Sequence, residues 1–381
     1  MQIYLVGGAV RDKYLGLPIK DRDWVVVGAQ PQALLSLGYQ PVGKDFPVFL
    51  HPETHEEYAL ARTEKKTGAG YTGFTCEYSP DISLEADLQR RDLTINAMAE
   101  SSTGTLIDPF GGQQDLEKKL LKHVSPAFVE DPLRVLRVAR LLARYAHLGF
   151  QIAPETFTLM KKLCANGELS TVSKERVWQE LQRALTETQP WHFFETLYHC
   201  NAWPSLLPAL DPADYQIFQQ PQTLHFFQKA CEQFTDSVQR LSAFFLTAVN
   251  YPVTSHANLA AQQKTKRLLN QLKAPRIYVE FSSFVAGYHT LYFDLLNWPA
   301  EHILAAFKQL HAFHQPQKLD QFIQVCGVVD GLYGSEIFTQ MLLACRNVKS
   351  EHYLQRGFTG ILLGQRIEEA QCAAIQQLLD G

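Results

Sequence analysis

The sequence has no C-x-x-C pair, no His-Asp dipeptide, no apolar run of about eighteen residues and no overall excess of positive charge. Each absence excludes something. The seven cysteines, Cys76, Cys164, Cys200, Cys231, Cys326, Cys345 and Cys372, are odd in number and widely spaced. Neither a zinc site nor a disulfide framework is expected, and they read as reduced thiols of a cytoplasmic protein. Without a long apolar run no membrane span is expected. The first residues lack a charged region and an apolar core, so no signal peptide is expected either. The formal net charge of −4 gives no global electrostatic case for nucleic acid, and any such partner must meet a local basic surface. The remainder is ordinary globular composition, 46% hydrophobic and 19% charged over 381 residues, which suggests two or three domains. Both a monomer and a homodimer are compatible with it.

What is there begins at residues 5–23, Leu-Val-Gly-Gly-Ala-Val-Arg-Asp-Lys-Tyr-Leu-Gly-Leu-Pro-Ile-Lys-Asp-Arg-Asp. A short apolar strand runs into Gly7-Gly8, where backbone N–H groups can face a phosphate. Arg11, about one helical turn on, can add a charged fork. Asp21 and Asp23 are two apart, so on a strand they share a face and raise each other's pKa. A cation between them relieves that repulsion, and carboxylates combined with substrate phosphates suit Mg²⁺. Taken alone, a Gly-Gly is usually a turn and an Asp-x-Asp a solvated strand end. Together in one short stretch they read as a Mg–triphosphate site.

The rest of the first 124 residues alternates apolar runs with turns. Gln2–Val6, Trp24–Val27, Pro47–Leu50, Glu57–Ala61 and Thr105–Ile107 read as strands, and Pro31–Leu37 as a short helix closed by Gly38. Residues 62–75 carry three glycines and several charges and read as a mobile loop. Arg90-Arg91-Asp92-Leu93-Thr94-Ile95-Asn96-Ala97-Met98 is placed inside a helix starting near Ser83, with Ile95 and Met98 facing the core. Residues 128–149 are strongly helical, with Asp131 as N-cap, Pro132 at N1 and Gly149 at the end. Val135, Leu136, Ala139 and Leu142 form the apolar stripe. Arg134, Arg137, Arg140 and Arg144 form a neighbouring basic one. Only Arg134 has acidic neighbours at helical spacing, so ion pairing along the helix does not explain that stripe. An anionic partner would. Pro154–Ala165 is a further helix, and Ser173 caps another.

These motifs carry a resemblance. Gly7-Gly8…Arg11-Asp12…Asp21-Arg22-Asp23, Arg90-Arg91-Asp92-x-Thr94-x-Asn96-Ala97 and Glu130-Asp131-x-x-Arg134-x-x-Arg137 together resemble the class II CCA-adding enzymes, tRNA nucleotidyltransferases related to poly(A) polymerases. The resemblance is strong over about the first half of the chain. It implies an α+β nucleotidyltransferase head with one mixed sheet at 1–124, then an all-α neck at 125–190, body at 191–320 and tail at 321–381. It implies addition of CCA to the tRNA 3′ end from CTP and ATP, with Mg²⁺ on Asp21 and Asp23 as the catalytic centre. Gly8, Arg11, Arg91, Asp92, Asp131, Arg134, Arg137 and Arg140 would bind the nucleotide. Asp131 and Arg134 would choose the base, while Arg176 and Glu180 would brace the neck. In that family a loop at residues 62–75 helps switch from C to A, which speaks against a CC-only enzyme. A poly(A) polymerase is the near alternative, and a tRNA-binding protein without catalysis the distant one.

Beyond the neck the patterns are helical and broken by prolines. Between Asp236 and Glu280 there is no acidic residue, while Arg240, Lys264, Lys266, Arg267, Lys273 and Arg276 accumulate. This is either a solvated face or a local basic surface for tRNA. Many bacterial relatives carry an HD phosphohydrolase after the neck. Here Phe244-Phe245-Leu246-Thr247-Ala248-Val249-Asn250 stands where the metal-binding His-Asp would be, so no phosphohydrolase activity is expected.

Overall fold

The apolar runs of the head assemble into one mixed sheet. Its strands are β1 (Gln2–Val6), β2 (Asp23–Val27), β3 (Gln40–Val42), β4 (Val48–Leu50), β5 (Glu57–Leu60), β8 (Ala99–Ser101) and β9 (Leu106–Ile107), in the order β3-β4-β5-β2-β1-β8-β9. The β2–β5 pairing is parallel, with Asp23 beside Glu57, and the others are antiparallel. Consecutive side chains of β2 go to opposite faces. Val25 packs with Val6, Leu88 and Ala97, and Val26 with Leu34, Phe49 and Leu60. The sheet is therefore covered on both sides, by α1 (Gly8–Tyr14), α2 (Pro31–Ser36), α3 (Leu84–Gln89), α4 (Gly112–Glu117) and their connections.

The computed structural model describes residues 1–42, 48–66, 74–209, 221–248, 258–330 and 335–380. Two expectations for the head are corrected by it. Residues 62–75 are not a loop throughout. The antiparallel strands β6 (Arg62–Lys66) and β7 (Phe74–Tyr78) form a separate two-stranded sheet. All three glycines lie in 67–73, outside the described residues, so the entropic argument never applied to the flanks. The helix that begins at the Ser83 cap ends at Gln89 instead of running through Arg90–Met98. Asp92 accepts from the backbone N–H of Leu93 and from Asn96. Such side chains compete with helical hydrogen bonding, and the chain continues extended at Leu93 into a tight turn at Thr94–Asn96. Ile95 and Met98 are fully buried as expected.

The chain continues with a short parallel pairing of β10 (Leu120–Leu121) and β11 (Gln151–Ile152) and helices α5 (Arg134–Tyr145), α6 (Pro154–Ala165), α7 (Lys174–Leu185), α8 (Trp191–His199) and α9 (Trp203–Leu206). Helix α5 starts two residues later than the Asp131–Pro132 placement, yet Asp131 still caps the turn before it, its Oδ1 accepting from the Leu133 N–H at 3.2 Å. Ser173 Oγ accepts from the Arg176 N–H and caps α7.

Residues Met1–Pro208 make one compact unit and Ala209–Gly381 another. In the second, every regular element among the described residues is helical: α10 (Pro221–Gln233), α11 (Ser237–Ala248), α12 (Leu259–Gln271), α13 (Arg276–Phe293), α14 (Ala300–Gln309), α15 (Gln317–Asp330), α16 (Ser335–Asn347), α17 (Ser350–Gln355) and α18 (Gly360–Asp380). Its core mixes aliphatic side chains such as Val285, Ile303, Leu304 and Met341 with Phe284, Phe307, Phe322 and Phe338. Phe244 and Phe245 are buried in α11 with their rings 5.5 Å apart. Val249 and Asn250 lie outside the described residues. Among the described residues no helix is long and apolar enough to cross a membrane.

The acid-free interval is only partly a surface. Arg240 is buried and donates to the carbonyls of Phe234 and Cys231, and Arg276 pairs with Glu280 at 2.6 Å. Lys266 and Arg267 on α12, Lys273 just after it and Arg276 itself are exposed.

Candidate active site

One end of the sheet gathers the chain's polar motifs. Antiparallel pairing sets Val6, the last residue of β1, opposite Asp23, the first of β2, and Glu57 starts the neighbouring strand beside it. Gly7 then turns the chain into α1 with φ +71°, a conformation glycine adopts without strain. A Cβ there would also stand 3.0 Å from a nitrogen of Arg91, so backbone and guanidinium approach each other only because residue 7 is glycine.

Asp23 faces a cavity of about 530 Å³ walled by Gly8, by the Arg90–Asp92 segment and by the first turns of α5. Nine arginines line it, at positions 11, 62, 90, 91, 134, 137, 140, 144 and 176, against four carboxylates, Asp23, Glu57, Asp92 and Asp131. Partial burial and the charge of Asp21 raise the Asp23 pKa, while Arg91 and Arg137 oppose the rise. Asp21 precedes the strand and does not line the cavity, so the two carboxylates are not side by side on one strand, although the Asp21 charge is felt by Asp23. Two hard oxygen donors of like charge fit a divalent cation. Among the described residues no group of three or more His, Cys, Asp or Glu side chains could hold a metal, so substrate oxygens and water would complete such a shell.

The arginines are held from behind. Arg140 donates to Glu180 at 2.6 Å and to Glu187 at 3.4 Å, and Arg144 to Glu187 at 2.8 Å. Arg137 donates to Asp92 at 2.7 Å. Burial alone would raise the Asp92 pKa, but Arg137 and the Asn96 amide hold it far below the usual carboxylate range. The basic stripe of α5 therefore has carboxylate partners, supplied by α7, by Glu187 just beyond it and by the head. Spacing along one helix could not reveal them, because they are distant in sequence.

The same contacts revise several assignments. Arg11, expected to fork onto phosphate, is buried and turns inward, its Nε bonding Asp12 at 2.9 Å and its Nη1 bonding Asn96. Asp12 also accepts from the Tyr145 hydroxyl at 2.6 Å, which ties α1 to the end of α5. Asp92, expected to meet a ribose hydroxyl, already accepts from Leu93, Asn96 and Arg137. Asp131 is gripped through both oxygens by Arg176, at 3.3 and 2.8 Å. Arg134 donates to the carbonyls of Ala127 and Arg90. Gly8, Arg11, Arg91, Asp92, Asp131, Arg134, Arg137 and Arg140 nevertheless all line one cavity with Asp23. Sequence reasoning missed Glu57, Arg62 and Asn96 as lining residues. Asn96 could have been found, since it stands inside a quoted motif. Glu57 needed the strand register.

Residues 3–122 match the model of the poly A polymerase head domain, and residues 149–214 match one described as "Probable RNA and SrmB- binding site of polymerase A". The "Multifunctional CCA protein" of Hahella chejuensis (strain KCTC 2396) is 43% identical over 403 residues, covering 99% of this chain and 95% of that one. The chain belongs to the CCA-adding enzymes, the tRNA nucleotidyltransferases of this head family. Solved structures of CCA-adding enzymes share its fold. That of Bacillus stearothermophilus with CTP has a TM-score of 0.70 at 20% identity, covering 98% of this chain and 89% of that one. That of Thermotoga maritima with tRNA has a TM-score of 0.66 at 22% identity, covering 100% and 90%.

Proposed function

We propose that this CCA-adding enzyme builds or repairs the tRNA 3′ terminus, adding two C residues and one A from CTP and ATP and releasing pyrophosphate. The observation that carries this reading is a single cavity. It joins Asp23 and the Gly7-Gly8 turn at the sheet end to Asp131 and Arg134 at the start of α5. The family generally works with a divalent metal, and here Asp21 and Asp23 would hold Mg²⁺. When bound, the ion supplies activation of the tRNA hydroxyl and neutralisation of the triphosphate.

The protein groups do the rest. Arg91 beside the Gly7-Gly8 turn, with Arg137 and Arg140, gives a preorganised donor wall for phosphate oxygens. Cytosine and adenine both carry an amine donor beside a ring-nitrogen acceptor. A carboxylate accepts from the amine and a guanidinium donates to the ring nitrogen, so Asp131 with Arg134 suits C and A. Uracil and guanine reverse that pattern and are rejected. Three hydrogen bonds reach the Asp131 carboxylate, from Leu133 and twice from Arg176. A carboxylate has about four lone-pair sites, so it can take the amine without releasing Arg176. We assign the head to 1–124, the neck to 125–190, the body to 191–320 and the tail to 321–381, with tRNA held by the helical portion.

The test is single-nucleotide extension of a tRNA transcript lacking CCA, with Mg²⁺ and CTP, ATP, both, or UTP. Two C residues with CTP and one further A with both are expected, with no extension by UTP. Stopping after CC, or growing a long A tail, would replace this reading by a CC-adding enzyme or a poly(A) polymerase.

A further inference from the structure

Behind the cavity wall stands a carboxylate with no assigned part in nucleotide binding. Asp87, on the last turn of α3, has a side chain with no exposed surface. Four hydrogen bonds converge on it. Arg90 donates from Nε at 3.1 Å and Nη2 at 2.7 Å, and the Arg62 backbone N–H donates at 3.3 Å, all to Oδ1. Arg91 donates from Nη2 to Oδ2 at 3.1 Å. Arg90 Nε also reaches the Arg62 carbonyl at 3.1 Å, so the first residue of β6 is fastened to the same joint.

Each arm of this joint ends at a different part of the nucleotide site. Arg91 lies against the Gly7 turn, and its buried Nε has no hydrogen-bond partner among the described residues. Arg90 presents its backbone carbonyl to Arg134, the arginine placed at the base edge. One buried carboxylate thus fixes the guanidinium nearest the phosphate turn and the carbonyl that orients the base reader. Burial of an ion pair is weak evidence for stability, because desolvation offsets much of the attraction. A hydrophobic anchor could have fastened α3 here. It could not have held two adjacent guanidiniums together and aimed.

We propose that Asp87 is a positioning residue for both halves of the nucleotide site, aiming Arg91 at the triphosphate directly and fixing Arg134 at the base through Arg90. The proposal rests on the nucleotide reading given above for this cavity. Asp87 touches no substrate and acts only through its partners.

The test uses the full-length enzyme and two variants. Asp87→Asn keeps the shape and removes the charge. Arg90→Lys keeps the charge and removes the fork, leaving Asp87 with Arg91. Binary affinities for CTP and UTP are measured by calorimetry, extension kinetics on tRNA by single-turnover assay, and the folded fraction by thermal melting. In Asp87→Asn the CTP dissociation constant should rise about tenfold or more, and the preference for CTP over UTP should fall about tenfold. In Arg90→Lys the preference should fall by a similar factor while the CTP constant moves less than threefold. A purely structural role predicts a lower melting temperature and lower active fraction with affinity and preference unchanged, and that pattern overturns the proposal. If Asp87→Asn does not fold, the split in Arg90→Lys decides. Calorimetry keeps the test separate from the proposed function. A wild type that binds CTP but never extends tRNA defeats the latter and leaves Asp87 open to measurement.

Discussion

Asp92 shows how a buried carboxylate is kept charged. Its oxygens are shared among the Leu93 N–H, the Asn96 amide and Arg137. Burial opposes its charge, yet Arg137 and Asn96 hold its pKa far below the ordinary range. A carboxylate depressed in the folded state contributes stability that is present above its unfolded pKa, near 4, and lost as pH falls through the folded value. Asp92→Asn should therefore lower the unfolding free energy of the first unit at neutral pH. About 1–2 kcal/mol is expected, discounted because the Arg137 side chain is 37% exposed. The gap between wild type and variant should stay constant from pH 7 to about 5 and begin to close only below about 4. Urea titrations at pH 7, 5 and 3 would check it. A gap that closed between pH 7 and 6 would contradict the direction of the shift.

At the scale of elements, α5 is the piece on which sequence and structure are best compared. Its apolar stripe and its four arginines could be read from spacing, because each is a local property of a helix, while its ends fall inside the expected ones: it runs from Arg134 to Tyr145. The partners of those arginines could not. Glu180 and Glu187 lie roughly 40 residues on, and only the packing of α7 and the chain just after it against α5 brings them there. The same holds for Glu57, set beside Asp23 by the β2–β5 register. It holds too for the β6–β7 pair, where the glycines between them in sequence masked two good strand flanks. Arg140 and Glu180 are both almost fully buried, and removing one partner of such a pair strands the other charge. Glu180→Ala should thus destabilise the first unit by roughly 3–5 kcal/mol, read as a drop in melting temperature with Asp23 untouched. On the sequence reading, Leu246-Thr247 of the second unit, just after the buried Phe244 and Phe245 of α11, stand against the His-Asp of HD relatives. A 2′,3′-cyclic nucleotide incubated with the enzyme and added divalent metal should show no turnover above the metal alone.

For the whole molecule the electrostatic question is how a chain of net charge −4 engages a polyanion. Global attraction is ruled out, so contact must come from local cations, with the rest of the surface repelling. Within the acid-free interval Arg240 is spent inside the core, Arg276 is exposed but paired with Glu280, and Lys273 is exposed just beyond α12. Lys266 and Arg267 remain exposed on α12, with Gln263 and Asn270 around the same shallow hollow. Each cation that neutralises a phosphate releases condensed counterions and steepens the salt dependence of binding. Lys266→Glu combined with Arg267→Glu should therefore weaken tRNA binding and reduce the slope of log affinity against log salt by about one to two. CTP affinity should not change, since neither residue lines the nucleotide cavity. Filter binding of tRNA at several salt concentrations, beside calorimetry with CTP, separates the two effects. An unaltered slope would make α12 a solvated face and move the tRNA contact elsewhere on the helical portion.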